Sequence, residues 1–389
     1  MSAPRILVAG AGPAGQALAL ALAESGLPCT LLDPAPAAPG AAGGADLRVF
    51  ALTPASLTLL GRLGAWPPPQ AERVQAFRRM QVWERDPADG FVLDAAASGA
   101  PALGTIVEHA VLQHGLAGRL AGHAGIERLQ QATVVGCRQD GTGIEVELAD
   151  GRRRRGAVLV AADGAASPLR EQAGIAVDRH DYGQAGLVAN VAATVGHGGV
   201  ARQRFLATGP LALLPLADDA VSIVWTLPAS AADRLAALAD GDFGQALTEA
   251  SGGILGRLTP SGPRVCFPLR RQLAQRYVEG RMVLLADAAH TVHPLAGQGL
   301  NLGLADVAVL VPLLAAAVSR GLDPGSAAVL ARYARARQGA NALAAHGFGA
   351  ILGLYAWDLP GAAGLRAFGH GLLRRLPALR RAVVGVASG

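Results

Sequence analysis

The sequence predicts an α/β fold built on a parallel sheet, together with a second part made mainly of strands. The first observation is a short apolar strand, Arg5–Ala9, followed by the loop "GAGPAG" and the helix-forming run "QALALALAESG". The second is that two later apolar strands, Val158–Ala162 and Met282–Leu285, also run into loops containing aspartate and glycine. The third is a set of alternating apolar runs between residues 186 and 228, which is typical of half-buried strands.

The glycine-rich loop has the pattern G-x-G-x-x-G, formed by Gly10, Gly12 and Gly15. Gly10 permits a tight turn, Gly12 lets a pyrophosphate approach the backbone, and Gly15 lets the helix pack on the strand. The next strand, "PCTLLD", ends at Asp33, at the spacing expected of a ribose-binding acid. The helix N-terminus would attract phosphate. The pattern predicts a dinucleotide site, and a purely structural glycine turn is the alternative.

Two later strands end in comparable loops, at Asp163-Gly164 and at Asp287. The carboxyl ends of parallel strands meet at one edge of the sheet, where α/β proteins bind cofactors. Three such transitions are more than an NAD-binding domain requires. They predict an extended ligand that is contacted at several points along this edge.

The segment "DAAHTVHPLAGQGLNLGLADV" begins at Asp287 and contains His290 and His293. A metal site would need a third ligand, for which Asp287 is the only local candidate, and no catalytic zinc motif is present. An acid–base role for either histidine stays open. We favour a backbone cradle for a cofactor, with the histidines packed and hydrogen-bonded beside it. No metal is predicted.

Composition narrows the class of protein. The 389 residues are 51% hydrophobic and 16% charged, which excludes a disordered chain. The net charge of +5 is modest, and the basic run Arg152–Arg155 follows a predicted hairpin turn, so we expect a solvated hairpin and no nucleic-acid site. Three scattered cysteines fit a reducing compartment. No uninterrupted apolar run reaches the roughly 18 residues of a membrane-spanning helix.

Taken together, these segments resemble flavin-dependent aromatic hydroxylases of the p-hydroxybenzoate hydroxylase type. The fuller match is to the hydroxylases of ubiquinone biosynthesis. It rests on the segment beginning at Asp287, on "DLRVFALTPASLTLLGRLGAW" (Asp46–Trp66), and on "VEHAVLQHGL", "RFLATGPLALLPL", "VWTLP" and "YARARQGAN", in the family's order. The resemblance covers nearly the whole chain. It implies a Rossmann-like FAD-binding domain with an inserted β-sheet substrate domain and C-terminal helices.

The resemblance also implies which residues hold FAD. The ADP half would lie against the glycine loop and its acid, the pyrophosphate near a second aspartate, the ribityl chain on a third, and the isoalloxazine ring on the last loop. In that order the residues are Gly10, Gly12, Gly15 and Asp33; Arg48 and Gln113 as further contacts; Asp163; Asp287; and Pro294, Gly297, Gln298, Gly299, Leu300 and Asn301. Pro294 and Gln298 would face the flavin, and no side chain is predicted as a certain catalytic group.

By this resemblance the enzyme reduces FAD with NAD(P)H, forms a flavin C4a-hydroperoxide with O2, and transfers hydroxyl to a phenol ring. The expected substrate is a prenylated phenol. A flavin hydroxylase of a small phenol and a flavin-binding accessory protein without turnover remain alternatives; a flavin halogenase lacks support because its W-x-W-x-I-P pattern is missing. Candidate walls of the substrate pocket are Phe205, Leu213, Pro215 and Trp225.

Two positions depart from the family pattern. Ala286 stands where the family usually has glycine, and His109 where it tends toward asparagine. Alanine is harmless at a negative φ but costs about 1 kcal/mol or more at a positive one. Neither change removes a charge or a donor that the cofactor needs.

The expected domain organisation is discontinuous. The cofactor domain comprises residues 1–75, 100–180 and 276–325, the substrate domain 76–99 and 181–275, and a C-terminal helical region 326–389. The end of that region, "GLRAFGHGLLRRLPALRRAVVGVASG", mixes leucines with five arginines. A basic amphipathic helix there would contact a membrane or a quinone-synthesis complex, or would pack on the domain. We expect a cytoplasmic protein, peripheral at the inner face of the membrane.

Overall fold

The structure, a computed structural model, describes residues 4–36, 46–292 and 299–356. The predicted flavin-facing residues Pro294, Gly297 and Gln298, together with His293, lie outside the described residues. The same is true of the arginine-rich C-terminal segment, residues 364–389.

The described chain forms strands and helices in an alternating order at its start and long antiparallel strands in its middle. The strands are β1 (Ile6–Ala9), β2 (Cys29–Leu32), β3 (Val49–Leu52), β4 (Val74–Phe77), β5 (Arg79–Trp83), β6 (Phe91–Asp94), β7 (Gly104–Glu108), β8 (Ile126–Leu129), β9 (Val134–Gln139), β10 (Ile144–Leu148), β11 (Arg153–Gly156), β12 (Val158–Ala161), β13 (Val177–Ala193), β14 (Val200–Leu206), β15 (Gly209–Pro215), β16 (Val221–Pro228), β17 (Leu258–Ala274), β18 (Val278–Glu279), β19 (Met282–Leu284) and β20 (His290–Thr291). The helices are α1 (Pro13–Glu24), α2 (Pro54–Arg62), α3 (His109–Leu120), α4 (Pro168–Gln172), α5 (Ala229–Ala236), α6 (Asp240–Ser251), α7 (Gly299–Ser319) and α8 (Ala327–Ala356).

The first sheet carries the glycine-rich loop. Its order is β18-β19-β12-β1-β2-β8, and all neighbours are parallel except β18 and β19. Strands β1, β2 and β12 are buried along their whole length, as strands covered on both faces must be. Because the strands are parallel, the residues that follow β1, β2, β12 and β19 lie at the same edge. The predicted α/β fold with a Rossmann-like sheet is confirmed.

The second large sheet has eight strands in the order β20-β17-β13-β16-β15-β14-β5-β6. Its two longest strands, β13 and β17, each contain 17 residues and pair antiparallel from Val177↔Ala274 to Ala193↔Leu258. Register shifts between Asp181 and Ala185 and between Ala189 and Val191 bend this ribbon. One end of this ribbon, Val177 and Ala274, packs on the core of the first sheet. The predicted domain boundaries stay a prediction.

Helix α7 closes the core of the cofactor-binding part. Its residues Leu304, Val307, Leu310 and Leu314 are almost fully buried in the same cluster as α1 and β1. Among the described helices, α7 alone is long and apolar enough to cross a membrane. Less than half of its most apolar stretch is buried in the protein. The core helix of a folded protein can have the same length and hydropathy, so these two properties are weak evidence for a membrane span. The sequence contains no uninterrupted apolar run of this length because Asn301, Gly303 and Asp306 lie within the first turns of α7.

The predicted hairpin around Asp150-Gly151 is confirmed. Strands β10 and β11 pair antiparallel, Gly151 has φ +83°, and the Leu148 amide donates to the Arg152 carbonyl at 2.9 Å. The arginines that follow pair with carboxylates on the surface; for example, Arg155 lies 2.7 Å from Asp140. The basic run therefore belongs to a solvated hairpin.

Candidate active site

The glycine loop is shaped by its lack of side chains. Gly10 has φ +102°, and a Cβ there would overlap the carbonyl oxygen of Ala162 on the neighbouring strand's loop. A Cβ on Gly15 would overlap the carbonyl oxygen of Gly10. Gly12, in contrast, has ordinary extended backbone with φ −65°, and a Cβ there would meet nothing within 4 Å. Gly10 and Gly15 are thus required by packing, whereas Gly12 keeps open the space beside the loop.

That space is a cavity of about 930 Å³, which extends from the glycine loop to the eight-stranded sheet. The N-terminal residues of α1, Pro13 and Ala14, and those of α7, Gly299 and Leu300, all line it. Helix N-termini present free N–H groups and a partial positive charge. The N-termini of α1 and α7 therefore both face one cavity. This arrangement suits a ligand that carries two separated negative groups.

The three aspartates that follow strands of the first sheet all line the cavity: Asp33, Asp163 and Asp287. Burial raises the pKa of each of them above its ordinary value. Asp33 accepts a hydrogen bond from the Ala35 amide at 3.1 Å. One oxygen of Asp163, Oδ1, is buried without a partner among the described residues. A buried carboxylate oxygen without a donor indicates that a bound group completes this site.

Of the two further residues predicted to contact FAD, Arg48 lines the cavity and Gln113 does not. Arg48 lines the cavity together with His109, the departure from the family's asparagine. Burial and the nearby Arg48 charge lower the pKa of His109 below its ordinary value. Gln113 does not line the cavity; its Nε2 donates to the Ala11 carbonyl at 2.9 Å and so supports the glycine loop from behind.

Ala286 resolves the question that the sequence leaves open. Its φ is +54°, in the left-handed region that favours glycine, so the alanine carries a conformational cost. The methyl group is accommodated by Gly303 on α7, where a Cβ would lie 2.7 Å from the Cβ of Ala286. Absence of a side chain at residue 303 leaves room for the one at 286.

We expect Ala286→Gly to stabilise the protein. Left-handed backbone costs alanine roughly 1–2 kcal/mol, and loss of one buried methyl group removes part of this gain, which leaves roughly 0.5–1 kcal/mol. Urea unfolding measures the difference. The matched control is Ala288→Gly, in the same turn without a positive φ, which should lower stability. Equal effects of the two changes would contradict the strain at Ala286.

A buried polar cluster lies behind this turn, centred on Asp306 of α7. Its Oδ2 accepts from the Ala286 amide at 3.1 Å and from His290 Nε2 at 2.6 Å. Its Oδ1 accepts from Arg337 Nε at 2.7 Å and Asn341 Nδ2 at 3.1 Å. Asp306 and His290 are fully buried. The interpretation of His290 as a packed, hydrogen-bonded loop residue agrees with this geometry, and the cluster holds the turn that presents Asp287.

Arg170 joins two of the loops at the sheet edge. It is fully buried, and its guanidinium donates to the Ala288 carbonyl and to the Ala165 carbonyl, both at 2.9 Å. The two acceptors lie in the loops that carry Asp287 and Asp163. Arg170 thereby fixes the spacing of two aspartates that line the cavity.

The opposite wall of the cavity is the eight-stranded sheet, and here the predicted pocket residues are wrong. Phe205, Leu213, Pro215 and Trp225 do not line the cavity. Leu213 and Trp225 lie on the other face, buried against α5 and α6, while Phe205 packs on Val82 at the end of its strand. The cavity face is offset by one residue on β15 and β16: Pro210, Ala212, Leu214, Val224 and Thr226. Alternation along a strand makes such an offset exchange the two faces completely.

Asn301, predicted beside the flavin, has a different set of partners. Its Nδ2 donates to the Ala51 carbonyl at 2.8 Å, and its Oδ1 accepts from Ser56 Oγ at 2.7 Å and from the Thr53 amide at 3.0 Å. The side chain fastens the start of α7 to β3 and α2. Gly299 and Leu300 line the cavity, and their contact with the flavin stays a prediction.

The residues that line the cavity fit the chemistry of FAD. A glycine loop left open at Gly12, a helix N-terminus, an unpartnered Asp163 oxygen and a second helix N-terminus at Gly299 follow one another along it. Gly10, Gly12, Gly15 and Asp33 would hold the ADP half, and Asp163 and Asp287 the middle of the molecule. The fold and the site are those of a flavin-dependent monooxygenase.

Comparison with known proteins supports this class and narrows it. The FAD binding domain family matches residues 4–345. The structure of p-nitrophenol 4-monooxygenase PnpA from Pseudomonas putida superposes with a TM-score of 0.79 over 100% of this chain and 99% of that one, at 18% identity, and so shares the fold.

Two curated relatives are closer in sequence. Ubiquinone hydroxylase UbiL of Rhodospirillum rubrum is 37% identical over 338 residues, 87% of this chain and 78% of the relative. The 3-demethoxyubiquinol 3-hydroxylase of Escherichia coli K12 is 37% identical over 341 residues, 86% of each chain. The chain belongs to the FAD-dependent hydroxylases of ubiquinone biosynthesis, and its cofactor is FAD. NAD(P)H is the typical electron donor of this family.

Proposed function

We propose that this protein hydroxylates the aromatic ring of a prenylated phenol in ubiquinone biosynthesis, using NAD(P)H and O2. The observation that carries the proposal is the cavity itself, in which the cofactor cradle faces an apolar sheet. When bound, FAD supplies the oxidation–reduction chemistry and the reaction with O2. The protein supplies binding, orientation and a site shielded from water.

The apolar wall supports a substrate with a hydrocarbon chain. Val188, Ala212, Leu214, Val224 and Phe267 contribute to it, and Val265 and Phe267 at its end are 48% and 36% exposed. Large exposed apolar side chains at the mouth of an apolar cavity suit a ligand whose tail leaves the protein. A small phenol would leave most of this surface uncovered.

The test is turnover by the purified, FAD-loaded protein with 2-farnesylphenol, with NADH and NADPH compared as donors. We expect O2 consumption and a product heavier by one oxygen, with a KM at least roughly tenfold lower than that of unprenylated phenol, because the chain buries apolar surface. The matched variants are Ala212→Phe, which fills the cavity, and Leu322→Phe on the exposed surface. A yellow protein that consumes no O2 with any phenol would instead support an accessory role.

We also propose that the protein acts at the inner face of the cytoplasmic membrane, where a polyprenylated substrate resides. Support comes from the exposed Val265 and Phe267 and from the five arginines of residues 364–389, which lie outside the described residues. The full-length protein with Arg374, Arg375, Arg380 and Arg381 replaced by glutamate should pellet less with anionic liposomes than the parent. Equal pelleting would remove the C-terminal segment as the contact.

A further inference from the structure

We propose that Gln203 is the residue that recognises the ring hydroxyl of the substrate. The inference rests on the proposed function, because it assigns one side chain of the same cavity to the phenol. It starts from the position of Gln203 in the eight-stranded sheet, where it lies on the cavity face of β14 opposite Ala212.

Gln203 is the one polar member of a row that crosses the sheet. Cross-strand partners point to the same face, so the row can be followed from strand to strand. From β5 to β17 it consists of Val82, Gln203, Ala212, Val224, Val188 and Val265. A carboxamide within an aliphatic row packs less well than valine would. Its two polar atoms need hydrogen-bond partners.

The structure provides no such partner. Gln203 is only 5% exposed, and its carboxamide makes no hydrogen bond with any described residue. Its polar atoms are not among the fully buried atoms that lack a partner, so they reach the open space of the cavity. A carboxamide that faces such a space is paired by water or by a bound ligand. Because Gln203 lines the cavity, a ligand there is in a position to satisfy it. A phenol hydroxyl both donates and accepts, and so can pair with either atom of the carboxamide.

Two charged side chains that also line the cavity, Arg202 and Arg270, are held by partners within the protein. Arg202 is paired with Leu213, and its guanidinium donates to the His197 carbonyl at 2.9 Å. Arg270 donates to Asp181 at 3.0 Å. Thr226 lines the cavity two residues beyond Val224 on β16, on the same face of the strand, and is the matched control.

The experiment measures binding to the FAD-loaded protein, without turnover, by the change in flavin absorbance. The probes are 2-farnesylphenol and farnesylbenzene, which lacks the hydroxyl group. The variants are Gln203→Met, nearly the same size without the amide, and Thr226→Val. We expect the parent and Thr226→Val to bind the phenol about tenfold more tightly than the hydrocarbon, and Gln203→Met to bind both about equally.

The outcomes separate this inference from the function on which it rests. A preference for the phenol that survives in Gln203→Met, or one that is lost in Thr226→Val alone, overturns the assignment of Gln203 and leaves the hydroxylase function intact. A parent protein that binds neither probe overturns both. Flavin content and the urea midpoint of each variant verify that the cofactor and the fold are retained.

Discussion

Replacing Gly15 with alanine should prevent the protein from holding FAD and from folding stably, whereas the same change at Gly12 should affect FAD alone. A Cβ at Gly15 overlaps the Gly10 carbonyl inside a packed helix–strand contact, so the helix must move. We expect a loss of about 3 kcal/mol in the free energy of unfolding. Urea unfolding and the ratio of flavin to protein absorbance measure the two effects.

Gly12→Ala is the matched control, with the same added methyl group two residues from Gly10. Its backbone is extended and nothing lies within 4 Å of the new Cβ, so apoprotein stability should change by less than about 0.5 kcal/mol. The methyl would project into the space assigned to the pyrophosphate, and FAD affinity should fall at least roughly tenfold. If both variants lost stability equally, the distinction between a packing glycine and a cofactor glycine would be wrong.

Asp306→Asn should be the most damaging neutral replacement of a carboxylate among the described residues. The side chain is fully buried and accepts four hydrogen bonds, two of which come from Arg337 and His290. Removal of one charge from a buried pair leaves the other uncompensated, and costs about 3–5 kcal/mol. The control Asp150→Asn removes a carboxylate also 2.6 Å from its cation, but on an exposed hairpin, and should have a far smaller effect.

The pH dependence of stability provides a second measurement. Burial tends to raise the pKa of Asp306, but the charges and hydrogen bonds of His290 and Arg337 outweigh it and hold the pKa below its ordinary value of 3.8. A lowered folded-state pKa gives a contribution that is fully present above 3.8 and is lost as the pH falls through the lower folded value. The Asn variant should lack this part of the acid dependence. An unchanged acid limb would show that Asp306 is not the group responsible.

The sequence allowed correct prediction of those elements whose geometry depends on single residues with strict steric requirements. The glycine loop, Asp33 and the helix that follows β1 could be predicted because Gly10 and Gly15 permit one arrangement only. The walls of the pocket could not be predicted, because Leu213 and Leu214 are the same residue type and differ only in the face of the sheet to which they point. Register depends on the partner strands, and in this sheet Val82 on β5 pairs with Gln203 on β14, about 120 residues further along the chain.

The buried cluster behind the cofactor loop was missed although the sequence contained a signal for it. Asp306 is an isolated carboxylate within the long apolar run of α7, and such a residue needs a buried partner. The partner cation, Arg337, lies 31 residues further along the chain, on α8. A histidine that first suggests a metal ligand, His290, belongs to the same cluster.

The paired strands β13 and β17 have a consequence for how the enzyme admits its substrate. One end of the ribbon, where Val177 pairs with Ala274, packs on the core of the cofactor-binding part, and the other end, where Ala193 pairs with Leu258, packs in the core with α5 and α6. The pairing is interrupted only at the two register shifts. A hinge between the two walls would have to bend this ribbon and break its hydrogen bonds. We therefore expect the distance between the cofactor site and the opposite wall to stay constant, and a long substrate to enter through the open end of the cavity, beside Val265 and Phe267.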